Sequence, residues 1–476
     1  MDSFFKKSFS LAVAVALTFC AVSCKSSGNS KGERKGNGNE SAGNVSVSLT
    51  SDDRFVGLDE WKNADGKVNE DSLTYISMPN DAEKVLKIAI EANARQYDRF
   101  ELRVNNPNAF RVGLQSPANS ETVTLRSGDT SSVYIRSFYN TPGEPRMQID
   151  TMVVVGYSDK GQTALRRFRI GSYKKACFDL KFVKVKRADA LEYEISGLWP
   201  RGNTGILGKA QEILNPMIVD VSSVDVETRT VDYDLNGNGV LDMFAGEQPF
   251  EEFAGSEIGV LDQQLTSHEE VVVALVEKVS FLVKVIGKQG DRTLMIYATE
   301  NLGIARGDEY YLAKAENVYD ASARAEVRVN QYDTNNQALT LDASVDIAGS
   351  DGYVLMSKTK RTNGAARTPI ERPESIRNNV YNLVVALAGG VMDSYDNEAV
   401  PFHEIGHVFG LSDVVDSKDN NMMMCKSNLW NRAGTPKFHG RPHKVAKSGA
   451  TGCPEIQSKK PESQWDSWIR EPIWML

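Results

Sequence analysis

The sequence predicts a multidomain chain: an N-terminal β-sandwich, followed by an α/β domain that carries a β-rich insertion. Three observations lead there. Residues 55–175 hold short apolar runs at strand spacing, separated by turn signals. From Ala176 onward a strand-like run, a run with helical spacing and a second strand-like run follow one another. Residues 278–358 then return to short strands and turns. The length of 476 residues exceeds one ordinary domain, and a hydrophobic share of 41% supplies apolar material for more than one core.

The first residues read as a targeting segment. Lys6 and Lys7 give a positive start, and Ser10 to Val22 is an apolar stretch too short to span a bilayer. It runs into Ala21-Val22-Ser23-Cys24, which resembles a bacterial lipobox. The resemblance implies removal of residues 1–23 as a signal peptide and a lipid on the Cys24 thiol. Leu17-Thr18-Phe19-Cys20 is a poorer match, because Phe19 is large for the residue before the cut. An ordinary secretory signal with incidental cysteines is the alternative. Both readings put the protein outside the cytoplasm, and the first anchors it to a membrane, on an outer-membrane, periplasmic or cell-surface face. Each buried methylene of such a lipid adds about 0.8 kcal/mol. Residues 24–54, rich in Ser, Gly, Asn and Lys, read as a flexible tether.

Within 55–175 the runs Glu101–Val104, Thr122–Leu125, Ser132–Ile135 and Met152–Val155 alternate with turns such as Asn106-Pro107 and Ser127-Gly128-Asp129. That spacing predicts the sandwich. Residues 176–476 form the second domain. Phe178 to Lys186 alternates as a strand, Ile206, Leu207, Ala210, Ile213 and Leu214 have helical spacing, and Pro216 ends that helix. Strand, helix, strand opens an α/β unit. The insertion at 278–358 reads as a small barrel, with strands at Ser280–Ile286, Thr293–Tyr297, Glu326–Val329, Ala338–Leu341 and Gly352–Met356.

The chemistry concentrates in His403-Glu404-Ile405-Gly406-His407. Residues four apart share one helix face, so two imidazoles there can grip one zinc ion at roughly 2.0–2.1 Å. Zinc lowers the pKa of a bound water towards about 7, and a carboxylate beside the first ligand takes its proton. That need explains the order His-Glu-x-x-His. The chain has only five His, and two of them fall in this pattern. Gly410 and Asp413 follow at intervals of three. A glycine there ends the helix and turns the chain, which brings Asp413 back towards the same ion.

His403-Glu404-x-x-His407-x-x-Gly410-x-x-Asp413 resembles the extended zinc motif of metzincin metallopeptidases. It departs from the commonest version in ending on Asp, as snapalysin-like members do. The resemblance covers about 399–424. It implies a metzincin-like zinc peptidase domain in which His403, His407 and Asp413 hold zinc and Glu404 is general base and then proton donor. It also implies a methionine turn beneath the metal. Asn420-Asn421-Met422-Met423-Met424 is similar to that turn, with Met423 the first choice for the role and Met422 the next. His439 and His443 are the alternative source of the third zinc ligand. Glu462 to Trp468 resembles the closing helix of such a domain, its two Trp packing in the core.

A second metal loop is Asp234-Leu235-Asn236-Gly237-Asn238-Gly239-Val240-Leu241-Asp242. Side-chain oxygens at Asp234, Asn236, Asn238 and Asp242, with the Val240 carbonyl, are the hard donors calcium prefers. The loop resembles those of dockerins and EF-hands, but position twelve is Ala245, with Glu247 the nearest acid to replace it. A metal-free Asn/Gly hairpin is the alternative. Of the cysteines beyond the leader, Cys425 and Cys453 flank one Gly/Pro/Lys-rich stretch and are expected to pair, since export permits a disulfide. Cys177 is expected to be a buried free thiol.

The net charge of −8 and the lack of a basic run exclude nucleic acid as the expected partner. The expected function is an exported zinc endopeptidase acting on a protein or peptide. Two rivals remain: a surface adhesin or binding lipoprotein with a structural or vestigial zinc site, and a zinc hydrolase acting on non-peptide amides.

Overall fold

A computed structural model describes residues 45–60, 73–91, 96–138, 147–187, 202–244, 257–265, 270–276, 279–297, 304–333, 335–347, 352–358, 364–366, 383–387, 394–409, 411, 423–424, 437–443 and 462–467. They belong to one compact unit, 45–476. The leader, Cys24 and most of the expected tether lie outside them. Among the described residues no helix is long and apolar enough to cross a membrane.

Two sheets form the N-terminal part. One has the strands Ser46–Thr50, Glu83–Glu91, Thr130–Ser137 and Phe110–Gly113 in that order. The other has six strands, with Thr74–Pro79, Gly161–Tyr173 and Met147–Ser158 at its centre. Their inner faces share one core, built from Leu86, Ile88 and Ile135 on one side and Ile76, Leu102, Val154 and Ile170 on the other. This is the expected sandwich, with one correction at its start. Ser46–Thr50 lies in the stretch read as tether, yet it pairs antiparallel with Glu83–Glu91. Its sequence is polar because only Leu49 turns fully inward.

The second part is a mixed sheet. Its strands run Val219–Thr230, Ala176–Lys186, Glu270–Val276, Leu383–Leu387 and Gly364–Ala366. The first four are parallel and the last is antiparallel. The six residues Val271–Val276 are all buried, because both faces of the sheet are covered. Helix α1, Gly202–Leu214, joins the Ala176–Lys186 and Val219–Thr230 strands. It buries Ile206, Ala210 and Ile213 against Phe178, Leu180 and Phe182. Each of the larger of these side chains, Ile, Leu or Phe, contributes about 1.5–3 kcal/mol. Helix α2, Glu257–Leu265, covers the other face with Ile258, Leu261 and Leu265 against Val183, Val272 and Ala274. Cys177 was expected to be buried but is a free, exposed thiol. The period of two that sends Ala176 and Phe178 inward turns it out.

The β-rich insertion falls between Glu270–Val276 and Leu383–Leu387, which are neighbours in the sheet. Its strands run Val279–Lys288, Thr293–Tyr297, Ala338–Leu341, Ala325–Asp333, Glu309–Lys314 and Tyr353–Ser357. The last pairs back onto the first through Val283 and Leu355. The strands therefore close a barrel with Val285, Ile296, Leu312, Val329 and Leu339 in its core.

Sandwich and second part meet through buried charge. Asp59, 7% exposed, stands 3.1 Å from His439 Nδ1 and accepts the Arg441 backbone N–H at 2.9 Å. Asp466 accepts from Arg169 at 2.6 Å and from the Tyr173 hydroxyl at 2.7 Å. Burial alone would raise the Asp59 carboxyl, but His439 and Arg441 outweigh it and hold the group well below the usual carboxylate range. A lowered carboxylate adds stability that is whole above the unfolded value of about 3.9 and is lost as pH falls towards the folded one. Asp59→Asn should therefore destabilise the protein by about 3 kcal/mol at neutral pH. It should also flatten the acid limb of a pH series of thermal melts. An acid limb identical to wild type would refute the assignment.

Candidate metal centre

Helix α3, Ser394–Val408, follows the Leu383–Leu387 strand and carries the motif. Phe402, Ile405 and Val408 are fully buried in the core that holds Phe178 and Phe182, which fixes the roll of the helix. Phe409 continues that face, edge-on to Phe178 at 5.7 Å between ring centres. With the apolar side seated, His403 and His407 share another face, both half-buried. Their ring centres are 4.9 Å apart and their planes are perpendicular. Glu404 follows the first of them and is 8% exposed.

Each imidazole is held at Nδ1. His403 Nδ1 lies 2.8 Å from the Met423 carbonyl, and His407 Nδ1 lies 2.8 Å from the Leu411 carbonyl. A carbonyl only accepts, so each Nδ1 carries a hydrogen. Orientation of a ring through its second nitrogen is the usual support of a metal-ligating histidine. Two imidazoles on one face are donors of the kind zinc takes, two of the three or four it needs.

Two local devices supply those carbonyls. The Leu411 N–H bonds the Gly406 carbonyl at 3.0 Å, a six-to-one closure of Schellman type that ends the helix and sets Leu411 beside His407. The Met423 N–H bonds the Lys437 carbonyl at 2.7 Å, which fastens the methionine stretch to the segment that carries His439. Met423 and Met424 act in different ways. Met423 offers its backbone to His403, while the Met424 thioether packs on Gly406, where a Cβ would collide with it and come within 3.0 Å of Phe438. Both side chains are fully buried.

Asp413, Gly410, Met422, Cys425 and Cys453 lie outside the described residues, as do Glu247 and the His443 side chain. Among the described residues no three His, Cys, Asp or Glu groups converge as a metal cage. His439 faces Asp59 and donates its backbone N–H to something else again, Gln464, at 2.9 Å. Trp465 is 1% exposed and donates its indole N–H to the Phe438 carbonyl at 2.9 Å, so it packs as expected. It sits on a short turn of helix, Gln464–Ser467. A cavity of about 750 Å³ on the barrel involves none of the α3 residues.

The 234–242 loop is compact. Asp234 accepts from the backbone N–H groups of Asn238 and Gly239, at 3.0 and 2.8 Å, and pairs with Arg187 at 2.8 Å. Gly239 takes a φ of +80°, which suits glycine. Val240 donates its N–H to Asn238 Oδ1 at 2.8 Å. Asn236 and Asn238 donate side-chain N–H groups to Asp242 Oδ2 at 2.8 and 2.7 Å. Burial pushes the Asp242 carboxyl up to about 7, against the pull of those amides. Glu257, at the start of α2, accepts the N–H groups of Leu235 and Asp242 at 2.9 and 2.7 Å. Burial, reinforced by Asp242, raises its carboxyl well above the ordinary range. Neither Glu257 nor Asp59 announces itself in the sequence, since each acts on partners far along the chain.

No known family matches the sequence, and no curated protein does. Among solved structures, the N-terminal domain of PorA is 14% identical and has a TM-score of 0.18, covering 25% of this chain and 97% of that one. A family 123 glycoside hydrolase from Clostridium perfringens is 11% identical, also with a TM-score of 0.18, covering 29% of this chain and 30% of that one. Likenesses of this size carry no argument about fold or function.

Gly406→Ala tests the packing under the motif. The new methyl must displace Met424, and overpacking of this kind costs about 1–3 kcal/mol. The expected result is a lower melting temperature together with weaker zinc retention on dialysis. Full zinc retention at unchanged stability would show that Met424 does not support this face.

Proposed function

We propose that this chain is an exported, lipid-anchored zinc endopeptidase of metzincin type that hydrolyses peptide bonds. One observation carries the reading: both motif histidines stand together on one helix face with their rings held through Nδ1 by backbone carbonyls. A helix with incidental histidines has no need of two such ties. His403 and His407 would hold the zinc, and Asp413 is the proposed third ligand. Bound there, zinc supplies a Lewis acid for the scissile carbonyl and lowers the pKa of water.

Glu404 is the proposed general base. It takes the proton of the attacking water and passes it to the leaving amine. Its position, 8% exposed on the same helix, limits competing solvent around the carboxylate. A purely structural zinc site does not require this group beside the first histidine. Phe402, Ile405 and Val408 keep α3 from rolling, so the proton acceptor and the two imidazoles hold their spacing.

The test is zinc content and cleavage of a broad peptide library by wild type, Glu404→Gln and Asp413→Ala. Glu404→Gln should retain zinc and lose cleavage by a factor of about 10²–10⁴. Asp413→Ala should lose both. Wild type without zinc refutes the reading. Wild type that holds zinc and cuts nothing favours a binding lipoprotein in which the metal is structural. Unchanged zinc affinity in Asp413→Ala moves the third ligand elsewhere.

A further inference from the structure

Outside α3, buried carboxylates gather where the 234–242 loop meets α2. Asp242 and Glu257 are both 0% exposed. Asp242 Oδ2 takes the two asparagine amides, but Asp242 Oδ1 is buried and has no hydrogen-bond partner. A carboxylate oxygen left in that state is costly unless something positive faces it. Two guanidinium groups serve this loop: Arg187 pairs with Asp234, and Arg324 donates to the Asn236 carbonyl at 2.5 Å. Among the described residues, three carboxylates, Asp234, Asp242 and Glu257, thus lie near two guanidinium groups.

The geometry points to a calcium site formed by Asp242, Glu257, Asn236, Asn238 and the Val240 carbonyl, with Glu257 of α2 supplying the acid that Ala245 cannot. Calcium takes six to eight hard oxygens, amide and carbonyl oxygens included, and tolerates irregular geometry. Binding exchanges the amide N–H contacts on Asp242 for cation–oxygen contacts and gives Asp242 Oδ1 its partner. Asp234 shapes the turn through its two backbone bonds and its Arg187 pair.

The site joins three parts of the fold. Glu257 opens α2, its backbone N–H reaches the Tyr319 hydroxyl at 3.3 Å, and Arg324 comes from the barrel side. Calcium therefore stiffens the junction of barrel, α2 and mixed sheet, and it does so independently of zinc on α3.

The experiment uses the full chain in detergent, freed of metal and reloaded with zinc. Equilibrium dialysis with radioactive calcium should give one bound Ca²⁺ per chain at millimolar free calcium. Calcium should raise the melting temperature, and the same concentration of magnesium should raise it less. Glu257→Gln and Asp242→Asn should each weaken calcium binding by about ten-fold or more and abolish the thermal shift, with zinc content unchanged. Wild type that binds no calcium at millimolar concentration overturns the proposal, whether or not the variants fold. So does a folded Glu257→Gln that binds calcium as tightly as wild type. Zinc content, read in the same samples, reports separately on the α3 site.

Discussion

The site rests on a pair of hydrogen bonds from imidazole Nδ1–H to backbone carbonyls, Met423 for His403 and Leu411 for His407. A helix can set two histidines on one face, but it cannot choose their tautomers or stop the rings turning. A net hydrogen bond of this kind contributes only about 1 kcal/mol to stability. Its value lies in direction, because it fixes the orientation of both rings on one helix face. The rest of the fold can be understood by asking what holds those two carbonyls in place.

The Leu411 carbonyl is local. It follows from the helix end, where the chain folds back on Gly406. The Met423 carbonyl is not local: it depends on Lys437, the segment through Arg441, and Asp59 in the sandwich. Asp466, with Arg169 and Tyr173, makes a second attachment between the same parts. Buried charges of this sort are weak as sources of net stability, but breaking one partner is expensive, so they specify a single docking geometry. The N-terminal sandwich is in this sense part of the support of His403 and more than a spacer.

Much of this was legible in the sequence, for reasons of period and motif. The helix from Gly202 shows itself through Ile206, Ala210 and Ile213, and the barrel strands through alternation. The helix under His403–His407 is legible because the two histidines are spaced by one helical turn. What stayed hidden depends on partners remote in sequence. Ser46–Thr50 looks like linker because a strand at a sheet edge with one inward residue needs few apolar ones. Cys177 looks buried by residue type, yet its register on the strand sends it out. Glu257 follows the loop it completes by fifteen residues, and Asp59 precedes His439 by most of the chain. Asp413, Cys425 and Cys453 fall outside the described residues and stand on the motif alone.

The proposed role of His403 and His407 is to bind one metal ion through Nε2. Zinc-edge X-ray absorption on the full chain tests that directly. The expected spectrum shows stoichiometric zinc with two imidazole nitrogens at about 2.0–2.1 Å and oxygen completing the shell. His403→Ala should remove the imidazole signal together with the metal. A chain that carries no zinc, or zinc that keeps its imidazole signal after that substitution, would contradict the account.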